Sequence, residues 1–145
     1  MSRFVKADDV RHEMFDWGEI AWRCTPDSTG STHLVVMDVA IEPGKGHEFH
    51  RHPEQDEVIV VSSGQIEQWL ERDRAVLGPG DSAYLDAGAV HASFNIGPET
   101  ARLQVMIGPA MPGGAGYDLE DVSEQEPWAS LRANASDGER GGHVS

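Results

Sequence analysis

Cysteine is almost absent: Cys24 is the only thiol in 145 residues. A single thiol excludes an intrachain disulfide and any site built from several thiolates, and it suits a reducing compartment. Basic side chains are scarce as well. Eleven Lys and Arg face 25 Asp and Glu, and the resulting net charge of −14 repels phosphate and anionic lipid. Nucleic acid and membrane surfaces are therefore not expected as partners. No apolar run is long enough to span a bilayer. Residues 1–15, broken by Arg3, Lys6, Asp8, Asp9, Arg11 and Glu13, do not read as a signal peptide, so a cytoplasmic location is expected.

What the chain does contain is punctuation. Sixteen glycines and eight prolines divide it into short pieces, and no helix-period segment separates them over residues 32–108. The spacing predicts strands at 34–41, 48–52, 57–61, 65–70, 82–85, 91–95 and 103–107, with a further early strand in 15–22. Such a series argues for an all-β antiparallel sandwich or barrel. Four parts are expected: an N-terminal lead over 1–31, a core over 32–108, a C-terminal extension over 109–132, and a disordered tail over 133–145. Within the extension, one short helix is expected between Asp121 and Leu131, anchored by Trp128 and Leu131.

The chemistry concentrates between Gly44 and Gly64. Side chains two apart on a strand share a face, so His50 and His52 can bind one ion together. Glu57 follows after a turn and re-enters on a neighbouring strand as a third candidate ligand. His91, opening a later strand after Gly88, is the fourth. Three imidazoles and one carboxylate suit one divalent first-row ion (Fe, Mn, Ni, Cu or Zn) and leave coordination positions for water, oxygen or substrate.

The joint pattern resembles the cupin superfamily. The motif G-x5-H-x-H-x4-E-x6-G is met by Gly44, His50, His52, Glu57 and Gly64. The motif G-x5-P-x-G-x2-H-x3-N is met by Gly80, Gly88, His91 and Asn95, with Asp86 where proline is usual. Asp can support a tight turn through its own side chain. The resemblance implies a small jelly-roll β-barrel or sandwich, dimeric through N-terminal strands, with a metal held by His50, His52, Glu57 and His91. Asn95 is then a supporting residue rather than a ligand.

Other residues are weighed against plainer roles. Strand alternation places Glu48 on the face of His50 and His52, where it or Glu57 could move a proton, although a solvated strand start is the commoner fate of such a residue. Gln68 points into the barrel, or Glu67 and Trp69 do; the register stays open. His47 and His33 fall outside the motif and read as surface or capping residues. Trp17 and Trp22 read as dimer-interface packing in preference to a substrate platform. Cys24 reads as an inert thiol. The stretch from Asp118 to Leu131 either closes the mouth or packs outside.

The expected function is that of a metal-dependent enzyme acting on a small, oxygen-rich molecule, leaning to dioxygenase-type chemistry. Sugar isomerase, lyase and polyketide cyclase reactions fit the same scaffold, and so does a metal-dependent binding protein without turnover.

Overall fold

The computed structural model describes residues 1–140. Eleven strands appear among them: β1 (Arg11–Phe15), β2 (Gly18–Cys24), β3 (Val35–Ile41), β4 (Gly46–Arg51), β5 (Asp56–Ser63), β6 (Ile66–Leu70), β7 (Asp73–Leu77), β8 (Ser82–Leu85), β9 (His91–Asn95), β10 (Ala101–Gly108) and β11 (Glu120–Asp121). Two helices accompany them, α1 (Pro26–Thr29) and α2 (Trp128–Arg140). All strand pairs are antiparallel, in two sheets ordered β1-β2-β3-β10-β5-β8 and β11-β4-β9-β6-β7. The sheets face one another without a continuous ladder between them, so the architecture is the sandwich rather than a closed barrel.

Alternation explains the first sheet. Val35, Met37, Val39 and Ile41 of β3 and Ala101, Leu103, Val105 and Ile107 of β10 all point inward and are buried. Ile59 and Val61 of β5 and Ile20 and Trp22 of β2 complete this core. Glu57 sits one step along the same inward face of β5 and is buried with them. It is the exception to an otherwise apolar wall.

The second sheet is covered on both faces, which is why every residue of β9 is buried. Its outer face carries Phe49, Trp69, Ala92 and Phe94, packed beneath Trp128, Leu131 and Val122. The register left open for β6 is thereby resolved. Gln68 points inward, paired with Ser93 across the ladder, and Trp69 points outward but is equally buried, because the C-terminal segment lies over it. Glu67 on that outer side accepts from Trp69 Nε1 at 2.8 Å and from Arg132 Nε at 2.7 Å, pinning α2 to the sheet. The C-terminal segment thus packs outside the sandwich.

Several expectations change in detail. β7 was not anticipated; its sequence, DRAVL, lies at the edge of the second sheet and exposes enough polar surface to pass for a turn. The helix expected between Asp121 and Leu131 starts at Trp128, after β11 and a turn, and continues to Arg140 where a disordered tail was expected from Ala133. The remainder of that expected tail, residues 141–145, lies outside the described residues. Trp22 is 4% exposed within the single chain, so it is a core residue and not an interface residue.

Candidate functional site

The cross-overs between sheets build the site. β4 and β9 pair with His50 directly opposite His91, so both imidazoles project from one point of the ladder into the space between the sheets. After β4 the chain turns through residues 52–55, with Gln55 N–H donating to the His52 carbonyl at 3.4 Å, and enters β5 in the opposite sheet. Glu57 therefore faces the histidines across the sandwich instead of standing on a neighbouring strand of their own sheet. A second cross-over from β8 to β9 closes with Ala89 N–H on the Asp86 carbonyl at 3.0 Å, and Gly88 N–H donates to the His52 carbonyl at 2.9 Å. Gly88, at φ +80°, adopts the left-handed conformation this turn needs. The side chain that supports it is that of Asp56, which accepts from Ala87 N–H at 2.9 Å, rather than that of Asp86.

The donor atoms of His50, His52 and His91 lie within 4.8 Å of one another, all buried. Each ring is held by its Nδ1. His50 Nδ1 meets the Glu48 carbonyl at 2.6 Å, His52 Nδ1 the Asp118 carbonyl at 2.6 Å and His91 Nδ1 the Ala89 carbonyl at 3.1 Å. A carbonyl only accepts, so each Nδ1 carries the proton and each neutral ring keeps its Nε2 lone pair. Glu57 Oε1 lies 3.1 Å from His52 Nε2 and 3.2 Å from His91 Nε2. Lone pairs therefore confront a carboxylate at hydrogen-bond range. Glu57 Oε1 and His91 Nε2 are buried with no hydrogen-bond partner among the described residues. A single proton relieves one of these contacts; one cation shared by all four groups relieves them together. Hard and borderline nitrogen and oxygen donors in this number fit a divalent first-row metal.

The electrostatics are consistent with that arrangement. Burial pushes the Glu57 carboxyl up, but the imidazoles of His52 and His91 that face it outweigh burial and hold the group well below the usual carboxylate range. Burial lowers His52, yet Glu57 and the Asp118 carbonyl prevail and the net shift is upward. Burial, reinforced by the neighbouring rings of His47 and His91, drives His50 well down.

Glu48 does not join the cluster. The β4–β9 register slips between His47 and His50, a bulge that breaks the period-two alternation. Glu48 is consequently exposed and borders outer grooves, while His47 takes the inward place. The ring of His47 stacks on His50 with centroids 3.9 Å apart and on Trp17 at 5.1 Å, and burial lowers its pKa to about 4. Sequence spacing gives no sign of a bulge, so His47 read as a surface residue. Gln68 does not line the cavity either; it accepts from Ser93 Oγ at 2.6 Å, and Ser93 is the lining residue. Asn95 is the supporting residue it was expected to be, donating to the Ile41 and Glu99 carbonyls at 2.8 and 2.7 Å.

The cluster lines a narrow, largely apolar cavity of about 40 Å³ walled also by Ile20, Met37, Val39, Ile59 and Val105. Trp17 and Tyr117 line both this cavity and the wider groove outside it. Trp17 thus stands where cavity and groove meet. Tyr117 was missed, because it arrives from a glycine-rich loop far along the chain; its ring lies 5.4 Å from those of His52 and Trp22.

Comparison with known proteins matches this picture. Residues 37–108 match the cupin domain family. The chain is 28% identical over 128 residues to Protein SchB of Streptomyces halstedii, covering 87% of this chain and 93% of that protein. It is 24% identical over 110 residues to polyketide synthase CurC of Streptomyces cyaneus, covering 76% and 71%. The solved structure of polyketide cyclase RemF from Streptomyces resistomycificus is similar with a TM-score of 0.65 and 20% identity, over 90% of this chain and 99% of that one, a likeness of fold. Motif spacing, two-sheet topology and domain match agree: the chain belongs to the cupin superfamily and carries a three-histidine cluster with a glutamate beside it.

Proposed function

We propose that this protein is a metal-dependent enzyme that closes a ring in a poly-β-keto molecule, forming a carbon–carbon bond with loss of water. The observation that carries the metal is the confrontation of Glu57 Oε1 with the Nε2 atoms of His52 and His91, which a shared cation resolves. The substrate class is supported by the names of relatives that run along most of the chain, a polyketide synthase and, at the level of fold, a polyketide cyclase.

His50, His52, His91 and Glu57 would hold the ion. When bound it supplies Lewis acidity, polarising a carbonyl oxygen so that the adjacent carbon becomes acidic and a second carbonyl becomes electrophilic. The rest is the chain's work. The apolar walls exclude water and strengthen every polar contact inside. Trp17 and Tyr117 flank the entrance with faces suited to flat conjugated molecules. His47, kept neutral at physiological pH and stacked on His50 and Trp17, presents an imidazole to the cavity that can hydrogen-bond and orient a substrate oxygen.

The same donor set suits Fe(II), so a dioxygenase reaction is the competing reading. The test is incubation of the metal-loaded protein with a poly-β-ketone, with and without oxygen, followed by product mass. Loss of one water per ring closed, independent of oxygen, supports the cyclase. Gain of oxygen atoms under air alone overturns it in favour of the dioxygenase. Recovery of a tightly bound, unchanged ligand makes the protein a binding module.

A further inference from the structure

Gln55 immediately precedes β5, two residues before Glu57, and is 2% exposed. A buried primary amide needs partners for two N–H groups and a carbonyl oxygen. Gln55 finds all of them on one backbone segment. Nε2 donates to the Pro109 carbonyl at 2.8 Å and to the Gly116 carbonyl at 3.0 Å, and Oε1 accepts from Asp118 N–H at 3.1 Å. Three bonds from a single side chain therefore fold residues 109–118 back against the edge of the site. That segment has other ties as well, with Ala110, Ala115 and Tyr117 packed against the core. Met111 and Gly116 bond each other across it, Ala110 N–H reaches the His33 carbonyl, and Asp27 bonds Gly114.

The residue whose N–H Gln55 holds is also the one whose carbonyl receives His52. Asp118 O accepts the Nδ1 proton of His52 at 2.6 Å. His50 and His91 are oriented differently, by carbonyls two residues before each of them, Glu48 and Ala89, within or beside their own strands. His52 alone depends on a carbonyl 66 residues away. The segment between those points carries Tyr117, whose ring lies against His52.

We propose that Gln55 is a positioning residue of the metal centre: by fixing the backbone of residues 109–118 it places the Asp118 carbonyl on His52 Nδ1, and so determines that His52 offers Nε2 to the ion. The proposal rests on the metal reading above and adds to it a residue outside the ligand set, at a position the first motif leaves unspecified. Loss of such an orienting bond typically lowers metal affinity about 10–100-fold.

The experiment uses zinc alone as the probe, on the full chain, with wild type, Gln55→Ala and Gln55→Met; methionine fills the volume without making the three bonds. Zinc affinity is measured by chelator competition, and the three imidazoles are followed by nitrogen-15 NMR of the zinc-loaded protein. Expected are affinities about 10–100-fold weaker in both variants. The Nδ1–H signal of His52 should be lost or exchange faster, while His50 and His91 keep theirs. Unchanged affinity with an unchanged His52 signal overturns the proposal and leaves the metal site standing. Equal disturbance of all three histidines also overturns it, since that is general loosening. Should neither variant fold, wild type decides: His52 bound through Nδ1 with its Nε2 protonated contradicts the proposal, and bound through Nε2 with a slowly exchanging Nδ1–H supports it. Failure of wild type to bind zinc overturns this proposal and the metal reading together.

Discussion

Glu57 Oε1 lies 3.2 Å from His91 Nε2, and neither buried atom has a hydrogen-bond partner among the described residues. The two atoms come from opposite sheets of the sandwich, β5 and β9, so the contact spans the core of the molecule. Burying a carboxylate against a bare imidazole nitrogen is costly, and pairing with a cation reverses the sign of that cost.

Glu57→Gln keeps the shape and removes the charge. Saturating zinc at about 100 times the dissociation constant should stabilise wild type by about 2.7 kcal/mol. The variant, with a weaker site, should gain far less at the same zinc concentration. Thermal melts with and without zinc check this; equal stabilisation of both proteins would remove Glu57 from the site.

The metal-free protein should lose stability on acidification. His47, lowered to about 4, and His50, also lowered, resist protonation in the folded state but take up protons when unfolded, below about pH 6.5. Folded stability from these groups is therefore full above that pH and falls as pH drops towards 4. His52, shifted upward, acts in the opposite sense: its contribution is present below about 6.5 and fades as pH rises through its folded value. Two lowered groups against one raised group give a net loss in acid. Melting the metal-free protein from pH 7.5 to 5 should show a falling midpoint, with a shallower slope in His47→Gln, a difference of up to about 2 kcal/mol.

Trp17 spans cavity and outer groove and stacks on His47. Trp17→Ala should raise KM for a conjugated substrate about 5-fold, while altering metal content little, since stacking on an aromatic face is worth about 1 kcal/mol. Steady-state kinetics alongside metal analysis separate this from damage to the cluster; loss of metal would show that Trp17 instead supports His47 and His50.

Trp69, 1% exposed, is sealed by Phe49 and the C-terminal segment. Trp69→Ala should cost about 3–5 kcal/mol in urea unfolding and release α2. Trp128, on α2 and stacked on Phe49, is half-buried, and Trp128→Ala should cost less. Equal, negligible losses would mean that α2 is not part of the folded core.

Much of this was legible before any coordinates. The ligand candidates His50, His52, Glu57 and His91 follow from spacing, because strand periodicity and turn lengths are local properties. Alternating apolar residues such as Val35, Met37, Val39 and Ile41 announce the core for the same reason. What escaped depends on events with no local signature. One extra residue in β4 exchanged the roles of His47 and Glu48, since a bulge inverts the faces on one side of it relative to the other. Trp69 resisted assignment because its outward face is buried by a segment about 60 residues away, and Gln55 and Tyr117 acquire meaning only when residues 109–118 fold back. Long-range coverage, unlike periodicity, is not written in a short window.

The central claim is that His50, His52, His91 and Glu57 form one metal centre. Elemental analysis of protein purified without added metal, and again after reconstitution, tests it beside His50→Ala/His91→Ala. The account predicts about one equivalent of Fe, Mn, Ni, Cu or Zn per chain in wild type and its loss in the double variant. A wild-type protein that takes up no metal even on reconstitution would contradict it.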